Sequence, residues 1–559
     1  MCHFKPSIRT AGPNDLSPLQ LSLPAQLALH RTLPALPRPS FLGMESPPPS
    51  GPTLCATIHI GASAVSMLLS QADDKDGGSL KEIEFLEKPL PLARDIFQRG
   101  RISRTTTEHA VEILEGFRET LREVGADLPQ VQRAVVTNIL SEAENHETFL
   151  NRVSMACSLD LEILDDGEMT RLIYLKTRRR LLDTPSMGKR NTLVVHVGPG
   201  NTRALLFRKG NIQRYSSYRL GSHRTAEAVE GSDAQGSGLF RVIREHIAGA
   251  ITQLYHDYQD DDIQDLVVIG YEFQLLAPFL SKTGGNRRSL KTLQDFVAEL
   301  ADMTNEERVQ HFQLDYRSAE AVVPALLTNL AVAELFELKY LRSPDSDYER
   351  GFLGDLPRAS AFTEGFHEEV LRSARILGGR YGVDPRHAEQ VAHLCGRLFE
   401  QTLELHNLDE HDSMILEVAA LLHECGGYIG PRSHHKHSFY IIQNSEIFGL
   451  SRLDVTMISL VARYHRGAGP RLRHQAYAAL SGKERMRVAK MSAILRVADA
   501  LEKAHLQRVT DFHVDILPGK MRLTLNGVND AAVERLAMQS KGDLFHDIFG
   551  LEVVLAEHF

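Results

Sequence analysis

The stretch TLVVHVGPGNTRALLF, residues 192–207, has the outline of a strand, a glycine-bearing turn and a second strand. Two strands folded over such a turn present backbone N–H groups in a concave array, a shape suited to an anion such as phosphate. The side chains alter that chemistry. His196 stands where a metal-binding carboxylate would serve, Pro199 interrupts Gly198 and Gly200, and Arg203 follows Asn201 and Thr202. Upstream, LCATIHIGASAVSMLLSQ (54–71) has the same outline, two β-rich runs joined through Gly61. After it come a helical run at 106–125, a strand-like RAVVTNIL (133–140), a second helical run at 143–157 and a short LEIL (161–164). Further on, IQDLVVIGYEF (263–273) reads as a buried strand ending at Gly270. A repeated opening followed by alternating helices and strands predicts a pair of α/β lobes flanking a cleft.

The chain of 559 residues exceeds one typical domain, and its length suggests three or four. Apolar residues at 43% and charged residues at 24% are ordinary for a soluble globular protein, and the sequence has no run of eighteen apolar residues that would span a membrane. A net charge of -9 gives no nucleic-acid footprint, so an acidic polymer would need a local groove. The five cysteines are scattered without a C-x-x-C pair, which argues against a disulfide scaffold and for a reducing, cytoplasmic setting.

Residues 1–53 hold eleven of the 24 prolines and lack helical periodicity, so they are expected to be disordered, with Met44 as a candidate start. Around 341–360 Pro, Gly, Asp and Ser accumulate and strand signals fade, which marks the preferred boundary. Beyond it the chain turns helical and carries fifteen of its 25 histidines. The expected plan is lobe 1 at 54–185, lobe 2 at 186–345, a helical domain at 360–505 and a small α+β end piece at 506–559, whose DFHVDILPGKMRLTLNG and LEVVLAEHF alternate like strands.

RAVVTNILSEAENHETFLNRV, LEILDDGEMTRLIYL, LVVHVGPGNTRALLF, SSYRLGSHRTAE and HHKHSFYIIQNSEIFGLSRLDVTMISLVARYHRG, taken in order, resemble the exopolyphosphatase / guanosine pentaphosphatase (Ppx/GppA) family from about Leu54 to the end. The resemblance implies an α/β fold of two actin/Hsp70-like (ASKHA, ribonuclease H-like) lobes, then an all-α HD-like domain and a small α+β C-terminal domain. It implies polyphosphate or a phosphorylated nucleotide as substrate or ligand, and a homodimer.

The residues depart from the family at the cleft. Its Asp-x-Gly-Ser-Asn-Ser start is here His59, Gly61, Ala62, Ser63 and Ala64, and its Asp-x-Gly-Gly-Gly-Ser-Thr-Glu block is His196, Gly198, Pro199, Gly200, Asn201, Thr202 and Arg203. In its Glu-Glu-Ala-Arg block Glu168 matches the first acid, and Met169 replaces the second, the family's catalytic base. Ser141 takes a commonly basic position, while Asn145 remains. Hydrolysis of a phosphoanhydride needs a base for water, a carboxylate for Mg²⁺ and donors for the transferred phosphate. Met169 cannot accept a proton, imidazole is a poor match for Mg²⁺, and Pro199 removes one backbone donor. Glu168 is the candidate substitute base. Gly198, Gly200, Asn201, Thr202 and Arg203 form a phosphate-binding remnant or simply a lobe-forming hairpin.

A second constellation lies in the helical half. Asp384-Pro385 is a helix start that places His387 in the first turn. It is followed by His423-Glu424, by His434, His435 and His437 in HHKHS, by His465 and by Asp499. The order resembles the metal-binding pattern of HD-domain phosphohydrolases, with His-Glu in place of His-Asp. The resemblance implies a divalent metal, Mn, Fe, Zn or Mg, held by His387, His423, Glu424 and Asp499, with His437 and His465 completing a second site or touching phosphate. Each histidine alone is as readily a packed polar residue, and HHKHS as readily an exposed loop. Three functions follow: metal-dependent phosphohydrolysis in the helical domain beside a degenerate cleft, phosphatase action on polyphosphate or guanosine pentaphosphate in the cleft itself, or sensing of such a ligand without turnover.

Overall fold

The computed structural model describes residues 54–72, 80–123, 131–183, 189–232, 236–280, 287–343, 348–359 and 364–558. The expectations for residues 1–53, disorder and a start at Met44, lie outside them.

The two glycine turns open two sheets of the same topology. In the first, β1 (Leu54–Ile60), β2 (Ala64–Ala72) and β3 (Leu80–Pro89) form an antiparallel meander, and β4 (Val131–Val136) and β5 (Glu162–Ile163) add in parallel beyond β1, giving the order β3-β2-β1-β4-β5. In the second, β6 (Thr192–Val197), β7 (Thr202–Arg208) and β8 (Asn211–Tyr218) form the meander. β9 (Asp265–Ile269) and β11 (Tyr340–Arg342) continue in parallel, and β10 (Arg287–Ser289) is added at that edge. Every residue of β6 is buried, as a central strand covered on both faces requires. The repeated opening in the sequence is thus the visible part of a repeated strand order.

Helices fill the crossovers. Tyr316–Leu335 is long and apolar enough to cross a membrane, but it is mostly buried as the core helix of the second lobe, with Leu193, Val268 and Leu293 in the same core. Residues 341–360, read from sequence as a boundary, include the helix Tyr348–Ala359. Its Phe352, Leu353 and Leu356 pack against Leu68, Val135, Leu164 and Leu172 of the first lobe. The Pro and Gly content of this stretch does not prevent a helix, because the apolar stripe has a surface to pack on.

The helical part comprises Glu364–Arg380, Pro385–Gln401, Glu410–Leu422, His434–Gln443, Arg452–Tyr464 and Gly482–Leu501. Asp384 caps its helix as the sequence indicates, its carboxylate accepting from Arg386 N at 3.0 Å with Pro385 in the first turn. Ser451/Asp454 and Ser481/Glu484 form capping boxes at the last two helix starts. The chain ends in a three-stranded sheet, β12 (Phe512–Leu517), β13 (Lys520–Asn526) and β14 (Glu552–His558), with helices Ala532–Lys541 and Asp543–Phe549.

One core runs from the second sheet into the helices. Tyr174 lies 6.1 Å from Phe207 of β7, 6.1 Å from Phe366 and 5.3 Å from Phe448, ring centre to ring centre. At the β8 edge, Ile212 N donates to Glu369 and Ser217 N to Glu446, carboxylates that both belong to the helical part.

Candidate functional sites

A cavity of about 80 Å³ opens between the lobes, lined by both glycine turns, His59, His196, Met169, Arg203, His223 and Glu272. The two turns are built alike. Gly61 N donates to Ala64 O at 2.8 Å and Gly198 N to Asn201 O at 3.0 Å. Each glycine sits over the imidazole two residues before it, so a Cβ would meet His59 Cε1 at 3.4 Å or His196 Cε1 at 3.1 Å. A Cβ at Gly200 would lie 2.8 Å from Ile139 Cγ2, so the second turn accepts the first lobe only with glycine there.

Of the phosphate remnant, Gly198, Gly200, Asn201 and Arg203 line the cavity, whereas Thr202 is turned away and donates its hydroxyl to Leu220 O at 2.6 Å. Arg203 pairs with Asp166 at the start of the Asp166–Asp183 helix. Glu168, the candidate base, is placed elsewhere. It is absent from the cavity lining and forms a two-point ion pair with Arg133, which also holds Glu162 at 2.9 Å. On a helix, adjacent residues point about 100° apart, so Met169 faces the cleft and Glu168 the Arg133 side. Two acids that the sequence did not single out line the cavity, Glu87 and Glu272. Buried Glu272 accepts from Ser222 Oγ at 2.7 Å and lies 3.4 Å from His223 Nε2.

The helical part gathers the second constellation. Ligand atoms of His387, His423 and Asp499, all buried, lie within 4.8 Å of one another, and so do those of His387, Glu424 and His505. His423 and His465 are 5.0 Å apart, and His434 Nε2 lies 3.2 Å from His465 Nε2. His437 belongs to neither group of converging atoms and makes none of these imidazole contacts among the described residues. His434, one turn earlier on the same helix, is the one that meets His465.

Tautomers follow from the local backbone. His423 Nδ1 donates to Ala420 O and His465 Nδ1 to Ala462 O, each at 2.6 Å, across the last turn of a helix. Each ring therefore turns its Nε2 lone pair inward, the way a metal-ligating histidine is oriented. His423 Nε2 and both nitrogens of His387 are buried with no hydrogen-bond partner among the described residues. Burial, reinforced by nearby His423, pushes His387 down to about 4, and burial holds His465 well below the usual imidazole range. Both rings are neutral at pH 7, as metal ligands must be. Burial opposes the charge of Asp499, but the Lys541 ammonium beside it keeps the carboxyl well below its usual range. Orphaned imidazole nitrogens, neutral rings and two carboxylates fit a divalent ion with a taste for nitrogen. His505 and Lys541 were not read from the sequence: His505 lies just past the Gly482–Leu501 helix and Lys541 ends the Ala532–Lys541 helix, and no local periodicity points to them.

The profile of the Ppx/GppA phosphatase family matches residues 72–355, and that of Ppx/GppA phosphatase, domain III, matches residues 371–541. The pair of glycine-turn lobes and the helical domain behind them are thus those of a phosphatase class, and the chain belongs to the Ppx/GppA family. It is 24% identical over 452 residues, 79% of this chain and 86% of the other, to a guanosine-5'-triphosphate,3'-diphosphate pyrophosphatase of Vibrio vulnificus (strain YJ016). A protein of the same description from Aeromonas hydrophila subsp. hydrophila is 23% identical over 450 residues, 80% of this chain and 86% of its own. Among solved structures, an Aquifex aeolicus family member aligns with TM-score 0.43 and 19% identity over 56% of this chain and 99% of its own. An exopolyphosphatase from Cytophaga hutchinsonii aligns with TM-score 0.47 and 16% identity over 55% and 99%.

Proposed function

We propose that the protein is a metal-dependent phosphohydrolase whose working centre lies in the HD-like helical domain, beside an interlobe cleft that has given up turnover. The observation that carries this is the set of buried nitrogens on His387 and His423 with no hydrogen-bond partner among the described residues, converging with Asp499. A buried polar atom without a partner costs roughly 1–3 kcal/mol, and three in one spot are retained because something else satisfies them.

His387, His423, Glu424 and Asp499 would hold a first ion, and His434 and His465 a second ion or the substrate phosphate. A bound divalent ion supplies Lewis-acid charge against a phosphoryl oxygen. The chain's own residues do the rest. With His465 Nδ1 donating to Ala462 O, the His434–His465 contact is a hydrogen bond from the Nε2–H of His434, and a second ion there would displace that proton. Residues 425–445 and 455–483 contain seven Lys and Arg and no Asp or Glu, although the whole chain is acidic. Their Lys436, Arg463 and Arg466 surround His435, a rim that draws in an anion.

Metal analysis of purified wild type beside His423→Ala and Asp499→Ala, with phosphomono- and diester cleavage measured under Mn²⁺, tests the reading. Wild type carrying metal and cleaving ester, with both variants lacking the two properties, is the expected result. Metal-free wild type that cleaves neither ester class ends it. A second reading, binding of polyphosphate or a phosphorylated nucleotide in the cleft without hydrolysis, is favoured by Arg203 and the retained Gly198–Asn201 turn beside Met169. Tight binding by calorimetry with no product in the same sample is its signature.

A further inference from the structure

We propose that Lys541 is a resident cation that competes with the divalent metal for Asp499, and so sets how tightly and which ions the centre takes. This rests on the metal-centre reading above. Lys541 ends the Ala532–Lys541 helix of the C-terminal part and pairs through Nζ with Oδ2 of the buried Asp499. Its position is fixed by neighbours that are not ligands. Asp543, two residues on, pairs with Arg496, one turn before Asp499 on the Gly482–Leu501 helix. Arg496 is itself almost fully buried and donates to Tyr464 O at 2.9 Å and to Gly467 O. The ammonium is thus held against a ligand carboxylate by an anchor that needs no ion.

Charge decides what this does. Glu424 and Asp499 give the centre two negative charges, and Lys541 cancels one of them, so an arriving ion meets half the attraction at short range. Ions bound mainly by charge and oxygen, such as Mg²⁺, lose the most, whereas ions that bond well to imidazole keep the share supplied by His387 and His423. Because the competition is reciprocal, metal loading also weakens the hold of Asp499 on the C-terminal helix.

The test is titration of metal-free, full-length protein with Mn²⁺ and with Mg²⁺, read by calorimetry and by the Mn²⁺ electron paramagnetic resonance signal. Lys541→Met is expected to bind Mn²⁺ at least tenfold tighter than wild type and to gain measurable Mg²⁺ binding, while Lys541→Arg stays like wild type. Asp543→Asn, which loosens the anchor without touching a ligand, is expected to tighten Mn²⁺ binding in the same direction, and it decides the matter if Lys541→Met fails to fold. Equal or weaker Mn²⁺ binding in the folded variants overturns the proposal and makes Lys541 a support of Asp499. If neither wild type nor folded Lys541→Met binds Mn²⁺, the metal-centre reading itself falls. Hydrogen exchange in residues 536–545 of wild type is expected to quicken on Mn²⁺ addition, and unchanged exchange counts against the competition.

Discussion

Glu168 and Met169 are one residue apart, and the difference in what they can do comes from which way each points. Glu168 is spent on Arg133, with both side chains largely buried. Glu168→Gln is therefore expected to lower stability by about 1–3 kcal/mol, because a guanidinium is left underpaired, and to leave ester hydrolysis nearly unchanged. Denaturant melts beside turnover assays separate the two effects. A loss of turnover without a loss of stability would return the base to Glu168. His367, which belongs to neither site, gives a pH handle. Its hydrogen bond to Glu417 at 3.1 Å raises its pKa, with burial opposing. A raised pKa means the pair's stabilisation is complete below about pH 6.5, the unfolded value, and fades as pH rises through the folded one. For this partly exposed pair it amounts to about 0.5 kcal/mol, and His367→Gln should remove that pH dependence from the melting curve. At this scale the sequence showed which atoms can bind a metal but not which way they face. HHKHS offers three imidazoles within four positions, and helix phase brings His434 rather than His437 to His465.

Among the elements, the Tyr348–Ala359 helix and the first turn of Asp166–Asp183 tie the parts together. Phe352 sits 4.7 Å from the His59 ring and lines the cleft while Leu353 and Leu356 pack below. Phe352→Ala is expected to cost about 3–5 kcal/mol, seen in thermal or urea unfolding. A Cβ at Gly167 would run into the backbone of Leu450 and Ser451 in the helical part. Gly167→Ala should therefore cost about 1–3 kcal/mol, measured the same way. Elements with strict periodicity were legible: the glycine-turn hairpins, β4, β9 and the capped Pro385–Gln401 helix all appear as the sequence indicates. The Tyr348–Ala359 helix was not, because its apolar residues are few and flanked by Pro, Gly and Asp, and only the lobe surface opposite gives them a partner.

Over the whole chain, the shared core of Tyr174, Phe207, Phe366 and Phe448 couples the second lobe to the helices. Calorimetric unfolding of residues 52–559 is expected to show one cooperative transition for these parts, and two well-separated peaks would contradict it. The duplicated strand order was visible only as two similar hairpins, since β10, β11 and the crossovers differ in sequence and length between lobes. At the far edge of the second sheet, Glu369 and Glu446 occupy the amide hydrogens of Ile212 and Ser217. A strand with two of its amides already bound by side chains offers a poorer template to a neighbouring chain. Fragments cut short of residue 364 would bare that edge, and their tendency to clump would reflect lost protection rather than faulty folding.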